Sequence, residues 1–426
     1  MKKRIAANCI LAIATFNVFA QQTATDSLTV DEMLWTLPDQ VCANEPTSWT
    51  QTEGPSVAIN NGDNTVEIST PARYEFAYEC CLSASNRVER LLNSPDRLGF
   101  GKPTTGGALA EQYTVVTNLN DDGPGSLRDA LNQPTPIWIT FDSSIKGGTI
   151  YLKSGVVVHT KDITIDGSGS DITISPDSGL QINMLQLRGG NTILHDLTFD
   201  GKQTKSLAMM IREGDFYWID HVTSTNFIYN DSVAVGQGSR PLTSASEVTA
   251  SNFHAYNTSK GFQAGGNDNF PNFPRHRTTI HSSILAGEDR NPRIQYGGQV
   301  HVFNSYIHSF TYAGMDAGRS AEIFSENNVF SALNAKNPAN AQTGRPAGSG
   351  PTGHIYSTGD IFLDVAGSTG SIDLSGVSPF SLPYEYNAKP TSEVIDYVLA
   401  NAGAGKSSSS SSSCSVVTKD FTYSID

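Results

Sequence analysis

ILHDL (residues 193–197), WIDHV (218–222), TASNF (249–253), IHSSI (280–284), VFNSY (302–306) and SENNV (325–329) share one pattern: apolar or small residues, a polar pair, then another apolar residue. Counted between Asp196, His221, Asn252, Ser283, Ser305 and Asn328, the phrase returns after 25, 31, 31, 22 and 23 residues. Short strand-like runs at a period in the twenties, with insertions of variable length, are what a parallel β-solenoid requires. A single coil cannot bury its inward face alone, so stacking supplies the core. Stacked polar positions such as Asn252, Ser283, Ser305 and Asn328 are expected to form an internal hydrogen-bonded ladder. A β-sandwich also has many short strands, but it spaces them roughly 8–12 residues apart with hairpin turns. The longer interval favours the solenoid.

Outward from these phrases, alternation of Gly, Thr, Ile and Val runs from Gly99 to about Leu374, which makes the region all-β with few helices. The best helix candidate is 390–402, where Val394, Ile395, Val398 and Leu399 fall at helical spacing. Residues 21–96 are polar and acidic, hold three cysteines and show only short apolar patches such as Met33-Leu34-Trp35. Seven serines at 407–413 read as a flexible linker. The thirteen residues after them are too few for a domain, so the chain reads as an incomplete version of something longer. The expected division is a signal peptide at 1–20, an N-terminal extension at 21–96, the solenoid at 97–405, and a polyserine linker with a short tail at 406–426.

With 426 residues, 38% of them hydrophobic, the chain can bury a large core, and disorder throughout is excluded. Lys and Arg number 28 against 42 Asp and Glu, a net charge of −14, which argues against nucleic acid as a partner. An acidic polymer can bind only where the few cations are concentrated. MKKRIAANCILAIATFNVFA places a basic start before an apolar run, as in a secretory signal cleaved near Ala20. No later stretch reaches the ~18 apolar residues of a membrane span. A secreted, soluble monomer is expected, without a membrane partner. Export agrees with a disulfide from Cys42 to Cys80 or Cys81, the adjacent pair being unsuited to bridge each other.

The cations concentrate in EDRNPRIQYGGQVHVFN (288–304), where Arg290 and Arg293 flank Pro292 just before a strand. Two arginines there form a permanently charged fork suited to carboxylates. Lys260, in NTSKGFQAGG, follows the strand-like VTASNF. Stacking in register would put Lys260 and Arg290 on neighbouring coils about 5 Å apart, making a cationic groove. Arg275 and Arg277 are weaker candidates, since most Lys and Arg residues are solvated surface charges.

Residues 97–405 resemble the pectate lyase family of polysaccharide lyases, which includes pectin lyases. The phrases that carry the resemblance are GFGKPTTGG (99–107), VVTNLNDDGPGSLRDAL (115–131), ITIDGSG (163–169), WIDH (218–221), RNPRIQYGGQVHVFN (290–304) and LPYEYNAKPTSEVIDYVLANAGAG (382–405). The resemblance implies a right-handed parallel β-helix that cleaves polygalacturonate or pectin by β-elimination. It implies that Arg290 removes the C5 proton of the uronate, that Arg293 holds the substrate, and that Lys260 binds the uronate carboxylate. Asp220 and His221, of WIDH, match a pair read as chiefly structural or at the edge of the cleft. Arginine is an awkward base because it stays protonated; crowding by cations would relieve this in part.

The sequence departs from the family in two places. A further basic residue expected after Pro292 is replaced by Gln295. The calcium positions match Met209, Asn230 and Ala234, none a carboxylate, and Asp231 lies one residue from the expected place. Calcium prefers six to eight oxygens, so Asp231 alone would make a weak metal site that substrate carboxylates could complete. Loss of acidic ligands also fits a pectin lyase acting on methyl-esterified chains without calcium, with Phe262, Phe270, Phe273 and Tyr296 as the cleft aromatics. A non-catalytic β-helix that binds acidic glycans is the alternative from a different class.

Overall fold

The computed structural model describes residues 33–36, 49–57, 59–60, 65–68, 70, 72–80, 84–235, 247–265, 276–331, 340–345, 351–407 and 415–423. The expected signal peptide, Cys42, Cys81, Cys414, Phe270, Phe273, Arg275 and most of the serine run lie outside these residues. Two compact units are present, one of Met1–Glu89 with Ser412–Asp426 and one of Arg90–Ser411.

The larger unit is a parallel β-helix. One face is an 11-stranded sheet beginning at Tyr113–Val116 and Ile137–Phe141 and ending at His354–Thr358 and Ile372–Asp373. The other two faces merge into one 16-stranded sheet, because the long strands Thr223–Val235 and His254–Ala264 run through the corner between them. Parallel pairing puts identical positions of successive coils on top of one another. Ile139, Ile165, Leu194, Ile219, Ala250, Ile280 and Val302 form one such inward stack, and each is buried. Full burial of one such aliphatic side chain contributes about 1.5–3 kcal/mol.

At the corner between the first two faces the chain turns on a single residue with left-handed backbone. Asp196, His221, Asn252, Ser282, Asn304 and Asn327 occupy it, with φ between 47° and 55°. Asp, Asn and His tolerate this region better than other non-glycine residues, which explains the polar pair in the repeated phrase.

The expected ladder needs a correction of frame. Asn252 belongs to the turn column with Ser282, not to the column of Ser283. The ladder itself runs one residue later: Phe253 N–H donates to Ser283 Oγ (3.1 Å), Ser283 N–H to Ser305 Oγ (3.3 Å) and Ser305 N–H to Asn328 Oδ1 (2.9 Å). Asn328 N–H then donates to Asp360 Oδ1 at 2.7 Å.

The expected helix spans Thr391–Asn401. Val394 and Val398, with Ala402, pack against Ile284, Tyr306 and Val329 on the outside of the second face. Leu399 is not part of that stripe; it is 54% exposed. Two further helices, Ala84–Leu92 and Leu127–Leu131, carry no long apolar period in the sequence. None of the described helices is long and apolar enough to cross a membrane.

The smaller unit contains two three-stranded antiparallel sheets. Met33–Thr36, Thr65–Ile68 and Ile59–Asn60 form one. Trp49–Glu53, Ala72–Cys80 and Ser415–Tyr423 form the other. Most of the short segment expected as a tail is thus an edge strand of the N-terminal extension.

Candidate active site

Lys260 lies within His254–Ala264, and Arg290 lies in the loop between Ile284–Ala286 and Arg293–Ile294. Lys260 and Arg290 form a parallel β-bridge, so they occupy neighbouring coils as their spacing implies. Arg293 pairs in register with Gln263 on one side and Asp316 on the other. In the same face the backbone of Asp231 pairs with Lys260. The structure therefore brings Lys260, Arg290 and Arg293 onto one stretch of the third face.

The groove is not cationic alone. Arg290 Nη1 is 3.2 Å from Asp289 Oδ2, and Arg290 Nε is 3.2 Å from Asp316 Oδ2. Asp316 is fully buried. Lys260 Nζ is 3.7 Å from the same Oδ2 of Asp289 and donates to Ser259 Oγ at 3.3 Å. Crowding by cations, expected from the sequence to ease the base role of Arg290, is offset by these two carboxylates.

The loop that carries Arg290 is held from inside by Asn291, which is fully buried. Its Oδ1 accepts the N–H groups of Gly261 (2.8 Å) and Gly287 (3.0 Å), and its Nδ2 donates to the Gly287 carbonyl at 2.8 Å. Glycine is needed at both partners: a Cβ on Gly261 or Gly287 would come 2.8 or 2.6 Å from Asn291 Oδ1.

Of the expected cleft aromatics, the two described ones, Phe262 and Tyr296, do not line the cleft. Phe262 is fully buried, and Tyr296 is 7% exposed and bonded to Arg319. Tyr312 instead stands 44% exposed, with the Arg290 guanidinium 4.5 Å from its ring centroid. Arg277 pairs with Glu247 in the first sheet and lies over Phe100, away from this face.

Asp220 and His221 are buried. Asp220 Oδ2 lies 2.9 Å from Nδ1 of both His195 and His221, and Oδ1 accepts from Ser251 Oγ at 2.6 Å. Ser251 Oγ in turn accepts the Trp218 indole N–H at 2.8 Å. WIDH is thus a hydrogen-bonded knot on the outer side of the corner, since Asp220 and Trp218 alternate with the inward Ile219, and it is covered by the C-terminal segment, where Ser407 Oγ lies 3.3 Å from His195 Nε2. Burial pushes the Asp220 carboxyl up, but the charge and hydrogen bonds of the two histidines hold it well below the usual carboxylate range. His195, Asp220 and His221 also form a grouping of metal-ligand type among the described residues, yet both Nδ1 atoms are already committed to Asp220.

At the positions assigned to calcium by resemblance, Met209 and Ala234 are fully buried and offer no oxygen. The side chains of Asn230 and Asp231 lie outside the described residues. The donors that are described do not fit a calcium ion.

Asp289, Asn291, Tyr312 and Asp316 were not singled out in the sequence. Asp289 and Asn291 flank Arg290 directly, so EDRNPR carried a signal for them. Asp316 and Tyr312 come from the next coil, and Asp316 lies 23 residues after Arg293, the same interval that separates Ser305 from Asn328, so the repeat period carried a signal for this coil.

The family profile described as Pectate lyase matches residues 103–407. Among curated proteins, the chain is similar to "Putative pectate lyase 21" of Arabidopsis thaliana, at 29% identity over 274 residues, covering 60% of this chain and 66% of that one. It is also similar to "Probable pectate lyase 18" of Solanum lycopersicum, at 25% identity over 393 residues, covering 82% and 92%. Among solved structures, jun a 1, the major allergen from cedar pollen, shares the fold with a TM-score of 0.55 at 22% identity, covering 72% of this chain and 92% of that one.

Proposed function

The chain belongs to the pectate lyase family of polysaccharide lyases, and from that membership we propose that it is a secreted enzyme cleaving polygalacturonate or pectin by β-elimination. The observation that carries the reading is the Lys260–Arg290 bridge with Arg293 three positions on in the same register, opposite Gln263. Lys260 and Arg293 neutralise the uronate carboxylate, which acidifies the proton at C5 and stabilises the enediolate that forms. Arg290, in its neutral form, takes the C5 proton and afterwards returns it to solvent. The electron pair forms the C4–C5 double bond, the C4–O bond breaks, and the leaving oxygen is protonated from water. The base role of Arg290 is carried by family resemblance and by its place beside Lys260. Asp220 and His221 support the corner from its outer side, beneath the C-terminal segment. No step is assigned to calcium. Residues 1–20 serve as the export signal, and the protein acts as a monomer.

The test is the chemical form of the product. Incubation with polygalacturonate should yield a chain end with ultraviolet absorbance from the new double bond. Saturated reducing ends alone would mean hydrolysis, and binding without either product would mean a glycan-binding β-helix.

A further inference from the structure

A single oxygen atom bridges the two cations of the site. Asp289 Oδ2 lies 3.2 Å from Arg290 Nη1 and 3.7 Å from Lys260 Nζ. Its position is fixed by the main chain: Asp289 N–H donates to the Ser259 carbonyl at 2.7 Å, and its own carbonyl accepts from Ala313 N–H at 3.1 Å. Asp289 is therefore a rung of the third face and not a loose surface charge. Its carboxylate is 30% exposed, within reach of solvent and of a polymer lying along that face.

We propose that the Asp289 carboxylate occupies the place beside Lys260 that a substrate carboxylate has to take, and so sets the preference of the site between free and methyl-esterified uronate. This rests on the lyase reading above. A free uronate carboxylate must displace Asp289 from Lys260 and then sit beside its negative charge. A methyl ester carries no charge and neither competes with Asp289 nor is repelled by it. Asp289 thus acts as a built-in competitor against one form of the substrate, a repulsive element of the kind specificity requires.

The test is calorimetric binding of a galacturonate trimer and of its methyl ester to the full-length protein and to Asp289→Asn, with Asp289→Ser as a second variant. In parallel, initial rates of unsaturated product are measured on polygalacturonate and on highly esterified pectin. Removing the carboxylate should tighten the acid trimer by about fivefold, as expected for one partly exposed charge interaction, and tighten the ester by clearly less. The KM for polygalacturonate should fall by a similar factor relative to that for esterified pectin. Unchanged or weaker affinity for the acid trimer, or an equal gain for both, overturns the inference. Absence of unsaturated product from the wild-type protein overturns the lyase reading, while the binding arm still judges Asp289.

Discussion

Asn291 Oδ1 accepts the main-chain N–H of Gly261 at 2.8 Å, tying the loop that carries Arg290 to the strand that carries Lys260. The bond joins residues on adjacent coils inside the helix, one position away from each cation. Removing the Asn291 side chain leaves the N–H groups of Gly261 and Gly287 and the Gly287 carbonyl without it, at roughly 1–3 kcal/mol each before relaxation. Asn291→Ala should lower the melting temperature and reduce kcat on polygalacturonate more than it raises KM, since the cations lose alignment before they lose charge. A variant with wild-type kcat and melting temperature would remove Asn291 from the positioning role.

A second prediction concerns the end of the internal ladder. Asp360 accepts hydrogen bonds from Ser325 Oγ (2.6 Å), Ser357 Oγ (2.7 Å), Gln342 Nε2 (2.7 Å) and Asn328 N–H (2.7 Å). Burial pushes its carboxyl up, against these bonds, which favour the charged form. Asp360→Ala strands these donors in the interior and should cost about 3 kcal/mol or more. Thermal melting of that variant beside Asp360→Asn measures it; equal stability of Asp360→Ala and wild type would contradict the ladder as a support.

Legibility followed the register. The repeat period was sufficient for the solenoid and for placing Lys260 beside Arg290, because parallel stacking converts sequence offset directly into proximity. The stacking of TASNF on IHSSI is one residue out at Asn252: their fourth letters, Asn252 and Ser283, do not stack, because the chain turns at Asn252 and at Ser282. The phrase alone cannot distinguish a turn residue from the ladder residue beside it, both being small and polar. Asp316 lies one 23-residue period after Arg293, so the period reaches it, but nothing in the repeated phrase marks it as the partner of Arg290. The same holds for Tyr312, and the aromatics nearer in sequence, Phe262 and Tyr296, turn into the structure.

Stability should fall on the acid side of neutrality. Burial pushes His254, His276, His281 and His308 down to about 4 from an ordinary value of 6.5. The unfolded chain takes up protons that the fold refuses, so their contribution is present above about 6.5 and is lost as pH falls towards 4. His195 has the opposite sign: burial lowers it, but the hydrogen bond and charge of Asp220 outweigh burial and raise it. Its contribution is present below its ordinary value and is lost as pH rises through the raised one. Burial also pushes His301 down, and five imidazoles against one predict a melting temperature lower at pH 4.5 than at pH 7 by on the order of 10 °C. A flat profile across that window would contradict the burial of these imidazoles.

Calcium should bind the free protein poorly. Met209 and Ala234 are buried and apolar, and sites with few charged ligands have affinities of about millimolar or weaker. Calorimetric titration of calcium into the protein alone should show no tight binding, and any activation by calcium should appear only in the presence of polygalacturonate. Tight binding to the free protein that survives Asp231→Ala would place the site on other residues.

The measurement closest to the central claim is the rate of unsaturated-product formation from polygalacturonate by wild type and by Arg290→Lys. Lysine keeps the charge but loses the planar fork that meets Asp289 and Asp316 together. With the melting temperature near that of wild type, the rate should fall by about 100-fold or more, the scale of a lost general base. Wild-type protein that forms no unsaturated product, or an Arg290→Lys variant that keeps near-normal turnover, would contradict the account.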